Sequence, residues 1–365
     1  MPGVYISYPF CDQKCSYCNF ASDVLPRELE QDYLKALESE IRCEQWQWTP
    51  ETVYIGGGTP SKMTAVALAR LLDAIPDRTW SEATIEAAPG SFTPETARGW
   101  REAGITRVSL GVQSFVTREL AQTGRRHNAE TVASDVAALH AAGIGNININ
   151  LIAGLPHQTA ASWRESLDWI ERLEAPHVSI YMLEVDEDSR LGRELISLGA
   201  RYGAGAVPPE DQIADMYETA VDRLASMGVP RYEISNFARP GFESRHNLKY
   251  WRREPYSGFG ADAHSFDGLV RRRNVETAAE YVEFWRRGES PCVGQTTCDA
   301  GEERFFVGLR LSEGVRATAE DWRRFAAPIA RHLDSGLLER EGDVLRLTRR
   351  GVLLSNEVFQ EFVTL

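Results

Sequence analysis

Six short β-rich segments, at residues 4–10, 52–56, 84–87, 107–112, 147–152 and 178–183, alternate with amphipathic stretches such as 28–42, 65–75, 94–103 and 128–142. Nothing else in the sequence narrows the fold as much. Strands separated by helices pair in parallel, because a parallel neighbour needs a crossover of a dozen residues or more. Such crossovers are right-handed. Asp, Ser or Thr at several helix starts and Gly after helix ends, as in Ala103-Gly104 and Ala142-Gly143, punctuate the units. Six units fall short of a closed eight-stranded barrel. The expected class is therefore α/β, an incomplete, open (β/α)6 barrel over residues 1–205. In such barrels the chemistry sits at the C-terminal ends of the strands.

Residues 199–209 are rich in Gly and Pro and read as a loop, followed by a helix at 210–227. From about Gly241 the alternation is lost, so 206–300 is expected to be a connecting region. Residues 301–365 pattern as helix, strand, helix, a hairpin over 337–348 turning at Glu341-Gly342-Asp343, and a last helix. This is a C-terminal α+β region ending in a small winged-helix-like module. Winged helices often bind DNA, yet this one lacks a basic recognition helix beyond Arg323 and Arg324, and the chain carries 40 Lys+Arg against 53 Asp+Glu, a net charge of −13. Phosphate binding needs a basic face, so no nucleic-acid partner is expected. No apolar run approaches the ~18 residues of a membrane span, and the start MPGVYISYPFC has no signal-peptide pattern. Of six cysteines, Cys11, Cys15 and Cys18 cluster while Cys43, Cys292 and Cys298 are scattered, unlike a disulfide framework. A cytoplasmic location is expected.

Cys11-x3-Cys15-x2-Cys18 directly follows the first strand. Three thiolates on one short loop can each bond one iron of a [4Fe–4S] cluster and leave the fourth iron open. A zinc site is the alternative, although structural zinc takes four ligands and no fourth Cys or His lies nearby. Gly56-Gly57-Gly58-Thr59-Pro60 follows the second strand and is either a tight turn or a place where backbone approaches a ligand.

The segment YISYPFCDQKCSYCNF resembles the radical S-adenosylmethionine (SAM) superfamily, and within it the coproporphyrinogen dehydrogenase-like branch. The resemblance continues through Gly56–Ser61, Glu86–Gly90, Gly111–Phe115, Gly154–Pro156 and His246–Trp251, over almost the whole chain. It implies a radical SAM barrel binding a [4Fe–4S] cluster through Cys11, Cys15 and Cys18. It implies SAM contacts at Gly57, Gly58 and Thr59 beside the methionine end, Glu86 at the methionine ammonium, and Gln113 and Arg125 at ribose and carboxylate. Asn150 and Tyr5 complete the set, Tyr5 beside the adenosyl group. Taken alone, Glu86 would be a surface charge and Tyr5 a core residue.

Two departures separate the chain from true coproporphyrinogen dehydrogenases: Phe20 stands where they carry a further Cys, and only ten residues precede Cys11. The chain is similar instead to the HemW-type group of haem-binding chaperones. His246-Asn247-Leu248-Lys249-Tyr250-Trp251 matches that group's H-N-x-x-Y-W signature, which implies haem contact by His246, Tyr250 and Trp251. A neutral imidazole can ligate haem iron; a structural histidine is the plainer reading of His246 alone. Ser7, Ala88, Asn150 and Asp262 depart from the family's usual His, Asn, Asp and Gly.

The function implied is that of a chaperone binding a cluster, SAM and haem. It would deliver haem to acceptor proteins, membrane-associated respiratory proteins among them, and would take electrons for the cluster from a donor. The alternative is an enzyme, either a radical SAM catalyst acting on a tetrapyrrole or a methyltransferase of the related branch. The missing Cys and short N-terminus argue against coproporphyrinogen oxidation.

Overall fold

A computed structural model describes residues 2–363. Strands β1 (Gly3–Tyr8), β2 (Thr52–Gly57), β3 (Glu82–Ala87), β4 (Arg107–Gln113), β5 (Asn146–Ala153) and β6 (His177–Met182) pair in parallel in chain order. Helices Arg27–Cys43, Ala65–Asp73, Pro94–Glu102, Thr117–Thr123, Ala129–Ala141 and Ala160–Arg172 occupy the crossovers. Thr64, Thr93, Asn128 and Thr159 each accept a backbone N–H of the first helical turn, which fixes where their helices begin. Strand β1 stops at Tyr8 rather than at residue 10, because Pro9 has no N–H to continue a ladder.

Side chains alternate across the sheet. Val4, Ile6, Val53, Ile55, Ile85, Val108, Leu110, Ile147, Ile149 and Val178 are fully buried in the core shared with the helices. The opposite face carries Tyr5, Tyr54, Glu86, Arg107, Ser109, Asn148, Asn150, His177 and Ser179. A closed barrel would fill this interior with branched aliphatics; here it is a polar, hydrogen-bonded interior.

Residues 206–300 extend the same sheet at both edges. Strand β7 (Asn236–Ala238) adds antiparallel to β6, while β8 (Tyr256–Phe259) adds parallel to β1. Beyond β8 follow β9 (His264–Phe266), β10 (Val270–Asn274) and β11 (Cys292–Thr297), all antiparallel. The expected loop at 199–209 contains a 3-10 segment, Arg201–Ala206, and the expected helix runs Glu210–Ser226. The C-terminal part has helices Ala300–Gly308, Ala319–Arg324 and Ala326–Asp334 and a three-stranded antiparallel sheet of β12 (Val315–Arg316), β13 (Leu338–Glu341) and β14 (Val344–Leu347). Its hairpin turns at Gly342, whose φ is 63°. No helix among the described residues is long and apolar enough to cross a membrane.

Candidate cofactor site

The loop after β1 places Cys11, Cys15 and Cys18 on the wall of a cavity of about 540 Å³ at the C-terminal ends of the parallel strands. Gly57, Gly58, Thr59, Glu86, Gln113, Arg125 and Asn150 line the same cavity. Residues up to 139 positions apart in sequence thus meet here because each lies on the inward face of a parallel strand or in the loop after one.

The glycine turn after β2 lets the cysteine loop close in. A Cβ on Gly58 would lie 2.6 Å from the Phe10 carbonyl oxygen and 2.9 Å from Cys11 Sγ, so no other residue fits without moving that loop. Gly58 N–H donates to Tyr8 O at 2.7 Å and Thr59 N–H to Phe10 O at 2.9 Å, which ties the two turns together. Among the described residues, no three His, Cys, Asp or Glu side chains gather as ligands of one metal ion. Three thiols spread over one wall suit a [4Fe–4S] cluster, in which each thiolate takes its own iron. Burial holds the Cys11 and Cys18 thiols above their ordinary pKa, so iron binding would release protons. Phe20 is 68% exposed at the cavity edge and Tyr17 is tucked beneath, its hydroxyl accepting from Arg125 Nη2 at 3.3 Å.

Four residues lining the cavity, Ser22, Gln113, Arg125 and Arg310, carry buried polar atoms without a hydrogen-bond partner, and Gln113 and Arg125 are the two among the expected SAM contacts. The pairing of β4 with β5 shifts register between Leu110 and Gln113, and Gln113 takes a left-handed φ of 70°. A non-glycine residue held there stores about 1–2 kcal/mol. Its Oε1 is buried and unpartnered. Arg125 Nη1 donates to Gly111 O at 2.6 Å while its Nε has no partner. An unsatisfied buried polar group costs about 1–3 kcal/mol, which a ligand bearing hydroxyl and carboxylate groups would offset. These residues fit an amino-acid nucleoside.

Glu86 accepts the Tyr54 hydroxyl at 2.8 Å and Gly57 N–H at 3.1 Å. Desolvation raises its pKa, and those two hydrogen bonds with the Arg107 charge oppose the rise. A carboxylate has about four lone-pair sites, so acceptor capacity remains for a cation. Asn150 commits its amide to neighbours: Oδ1 accepts from Asn148 Nδ2 at 2.6 Å, and Nδ2 donates to Ser109 Oγ at 3.1 Å. It presents a fixed wall, an amide where the family's Asp would offer two acceptors.

The other expected residues lie elsewhere. Tyr5 sits below the cavity, its ring stacked on Tyr54 at 6.1 Å. His246, Tyr250 and Trp251 lie on helix Arg245–Trp251, at the N-terminal ends of β1–β3. His246 is 1% exposed, with Nδ1 2.9 Å from Thr52 Oγ1 and Nε2 2.8 Å from Tyr250 Oη. Trp251 lies under the Arg310 guanidinium at 4.3 Å, its Nε1 buried without a partner. Arg252, Arg253, Arg271 and Arg272 are each paired with a carboxylate.

Sequence reasoning passed over Tyr54, Tyr181 and Arg310. Tyr181 is 44% exposed yet faces the cavity, and Arg310, Leu353 and Asn356 from the C-terminal part close its far end. Tyr54 had a signal: it stands two residues before Gly56, on the inward face of β2. Arg310 had none, because its place depends on the tertiary docking of the C-terminal helices.

The radical SAM superfamily model matches residues 5–170 and the HemN C-terminal domain model matches 296–354. The chain is 35% identical to heme chaperone HemW of Bacillus subtilis, over 100% of this chain and 99% of that protein. It is 32% identical to heme chaperone HemW of Escherichia coli, over 99% and 97%. Among solved structures, the radical SAM enzyme coproporphyrinogen III oxidase (HemN) of Escherichia coli superposes with a TM-score of 0.84 at 20% identity, over 100% of this chain and 90% of that one.

Proposed function

We propose, from the premise that the chain belongs to the HemW family within the radical SAM superfamily, that it holds a [4Fe–4S] cluster and SAM in the barrel cavity and carries haem to haem-requiring proteins. The observation that carries the cofactor reading is the convergence of three cysteines with the unpartnered Gln113 Oε1 and Arg125 Nε in one cavity. The haem reading rests on the family.

Cys11, Cys15 and Cys18 would hold the cluster, each thiolate on its own iron. Glu86 accepts from the ammonium, and the turn at Gly57, Gly58 and Thr59 brings backbone against the methionine end. Gln113 and Arg125 meet the polar groups they lack in the free chain, and Asn150 holds the wall with Asn148 and Ser109. When bound, the cluster would supply the low-potential electron for chemistry on SAM. Tyr17, under Arg125, screens the cysteine loop from water.

Haem is the cargo, and its acceptors include membrane-associated respiratory proteins reached from the cytoplasm. An electron donor reduces the cluster. A second reading, catalysis on a tetrapyrrole, is favoured by the arm of the cavity toward Tyr217, Arg310 and Asn356, which extends beyond the proposed SAM contacts. Anaerobic reconstitution with iron and sulfide, then haem titration followed by optical and EPR spectra, tests both. Cluster signal with stoichiometric haem, transferred unchanged to an apo-acceptor, is expected. A cluster without haem binding overturns the chaperone reading, and SAM consumed in step with a modified tetrapyrrole establishes the second.

A further inference from the structure

We infer that the HNLKYW segment is the floor of the barrel and positions Glu86 from below through Tyr54, and that His246 is not a haem-iron ligand. The inference rests on the proposed function for one point only, that Glu86 receives the SAM ammonium.

The segment closes the N-terminal mouth. Thr52 and Glu82, the first residues of β2 and β3, both grip it: Thr52 Oγ1 meets His246 Nδ1, while Glu82 accepts Arg245 N–H and His246 N–H, each at 3.0 Å. At the start of β1, a Cβ on Gly3 would lie 3.0 Å from Lys249 Cδ and 3.1 Å from His246 Cε1. Lys249 in turn bonds Glu51 at 2.6 Å and Glu254 at 3.2 Å across the rim. A neutral imidazole has one donor and one acceptor nitrogen, and both nitrogens here have partners, Thr52 Oγ1 and Tyr250 Oη. Burial, Lys249 and Arg107 push its pKa down to about 3, so it stays neutral. To offer a lone pair to iron, the ring would have to abandon Thr52 or Tyr250 and the helix would have to leave the mouth.

What His246 does touch leads upward. The Tyr54 ring stacks on it at 5.3 Å and 30°, and the hydroxyl of the same Tyr54 donates to Glu86 Oε1. Gly56 makes the room: a Cβ there would lie 2.9 Å from the Tyr54 ring and 3.2 Å from the Glu86 carboxyl group. His246, Tyr54 and Glu86 therefore form a post from the buried floor to the cavity. Only its top faces a ligand, so Tyr54 and His246 are positioning residues.

The test uses the full reconstituted chain with variants Tyr54→Phe and His246→Gln, after iron content and circular dichroism show intact protein. SAM and a sulfonium analogue lacking the α-amino group are titrated calorimetrically, and haem-loaded protein is read by optical and EPR spectra. Tyr54→Phe removes one hydrogen bond to a charged group, so SAM should weaken on the order of tenfold while the analogue stays within about twofold. His246→Gln should move SAM in the same direction and leave the haem spectra as in the wild type. Equal weakening of SAM and analogue, or loss of an imidazole-ligated haem spectrum in His246→Gln, overturns the inference. Wild type that takes no haem sinks the chaperone reading alone, since the two titrations still decide the post.

Discussion

The two mouths of this barrel are built from the same six strands and treat their charged and ligand-like polar groups differently. At the C-terminal mouth, Gln113 Oε1 and Arg125 Nε are buried without partners, Gln113 is held at a left-handed φ, and a 540 Å³ cavity stands open. At the N-terminal mouth Trp251 Nε1 lacks a partner, but both nitrogens of His246 are bonded, Glu82 receives two backbone N–H groups, and Lys249 sits between two carboxylates. Buried polarity is costly in both places. Where the chain leaves it unsatisfied beside an open cavity, a ligand can supply the partner. Where the chain satisfies it, the polar groups hold structure. A motif rich in His, Tyr and Trp can thus be a seal as readily as a binding site.

The largest effect that would test this contrast is at the open mouth. Cys15→Ala should abolish [4Fe–4S] incorporation, read as loss of iron and of the cluster EPR signal. The cluster-free variant should unfold within about 1 kcal/mol of cluster-free wild type, because the thiol stabilises little on its own. A large loss of stability would show that the cysteine loop is a structural element like the floor.

At the sealed mouth the pattern should invert. Glu82→Ala leaves the Arg245 and His246 N–H groups buried without their acceptor. This should cost about 3 kcal/mol in urea unfolding, at roughly 1–3 kcal/mol per orphaned group, with the cysteines still able to take up iron. If Glu82→Ala unfolds at the wild-type denaturant concentration, the seal is not holding the floor.

These predictions rest on features that differ in how far the sequence displays them. The six parallel strands and the cysteine loop were legible, because long amphipathic periods and a tight thiol spacing survive in one dimension. Strands β7 to β11 were not, since three to six residues with Arg, Asn and Gly carry no period and owe their pairing to an existing sheet edge. In the site, Glu86 and Gln113 stand inside motifs that the sequence displays and Arg125 follows the second of these, and all three line the cavity. Tyr54 escaped because an inward tyrosine on a strand looks like core until the carboxylate it bonds is known. The place of His246 escaped for another reason: a motif's letters do not say which end of a barrel they face.

A buried carboxylate at the seam between β8 and the helix Arg27–Cys43 sharpens the comparison through pH. Glu40 accepts from Tyr281 Oη at 2.6 Å, Gly260 N at 2.7 Å and Asn274 Nδ2 at 2.9 Å. Desolvation outweighs these bonds and pushes its pKa up to about 7, against 4.5 for an ordinary Glu. The folded state then binds the proton more tightly than the unfolded one. Its contribution is fully present below about pH 4.5 and is lost as pH rises through about 7. Through this group, urea unfolding should report about 3 kcal/mol more stability at pH 5 than at pH 8, at about 1.4 kcal/mol per unit. Glu40→Gln should remove that slope. An unchanged slope would mean that other groups set it.

The smallest effect returns to the open mouth and asks whether its strain serves a ligand. Gln113→Gly relieves a left-handed φ worth about 1–2 kcal/mol and deletes an unpartnered buried oxygen. The greater freedom of glycine in the unfolded chain offsets about 0.5–1 kcal/mol of that. The cofactor-free protein should therefore gain roughly 1 kcal/mol in urea unfolding, while calorimetry on reconstituted protein shows weaker SAM binding. Stability gained with affinity lost is the signature of a residue held in place for something outside the chain. A less stable Gln113→Gly that binds SAM as well as wild type would make Gln113 a structural residue, and among the proposed SAM contacts the contrast between the two mouths would then rest on Arg125.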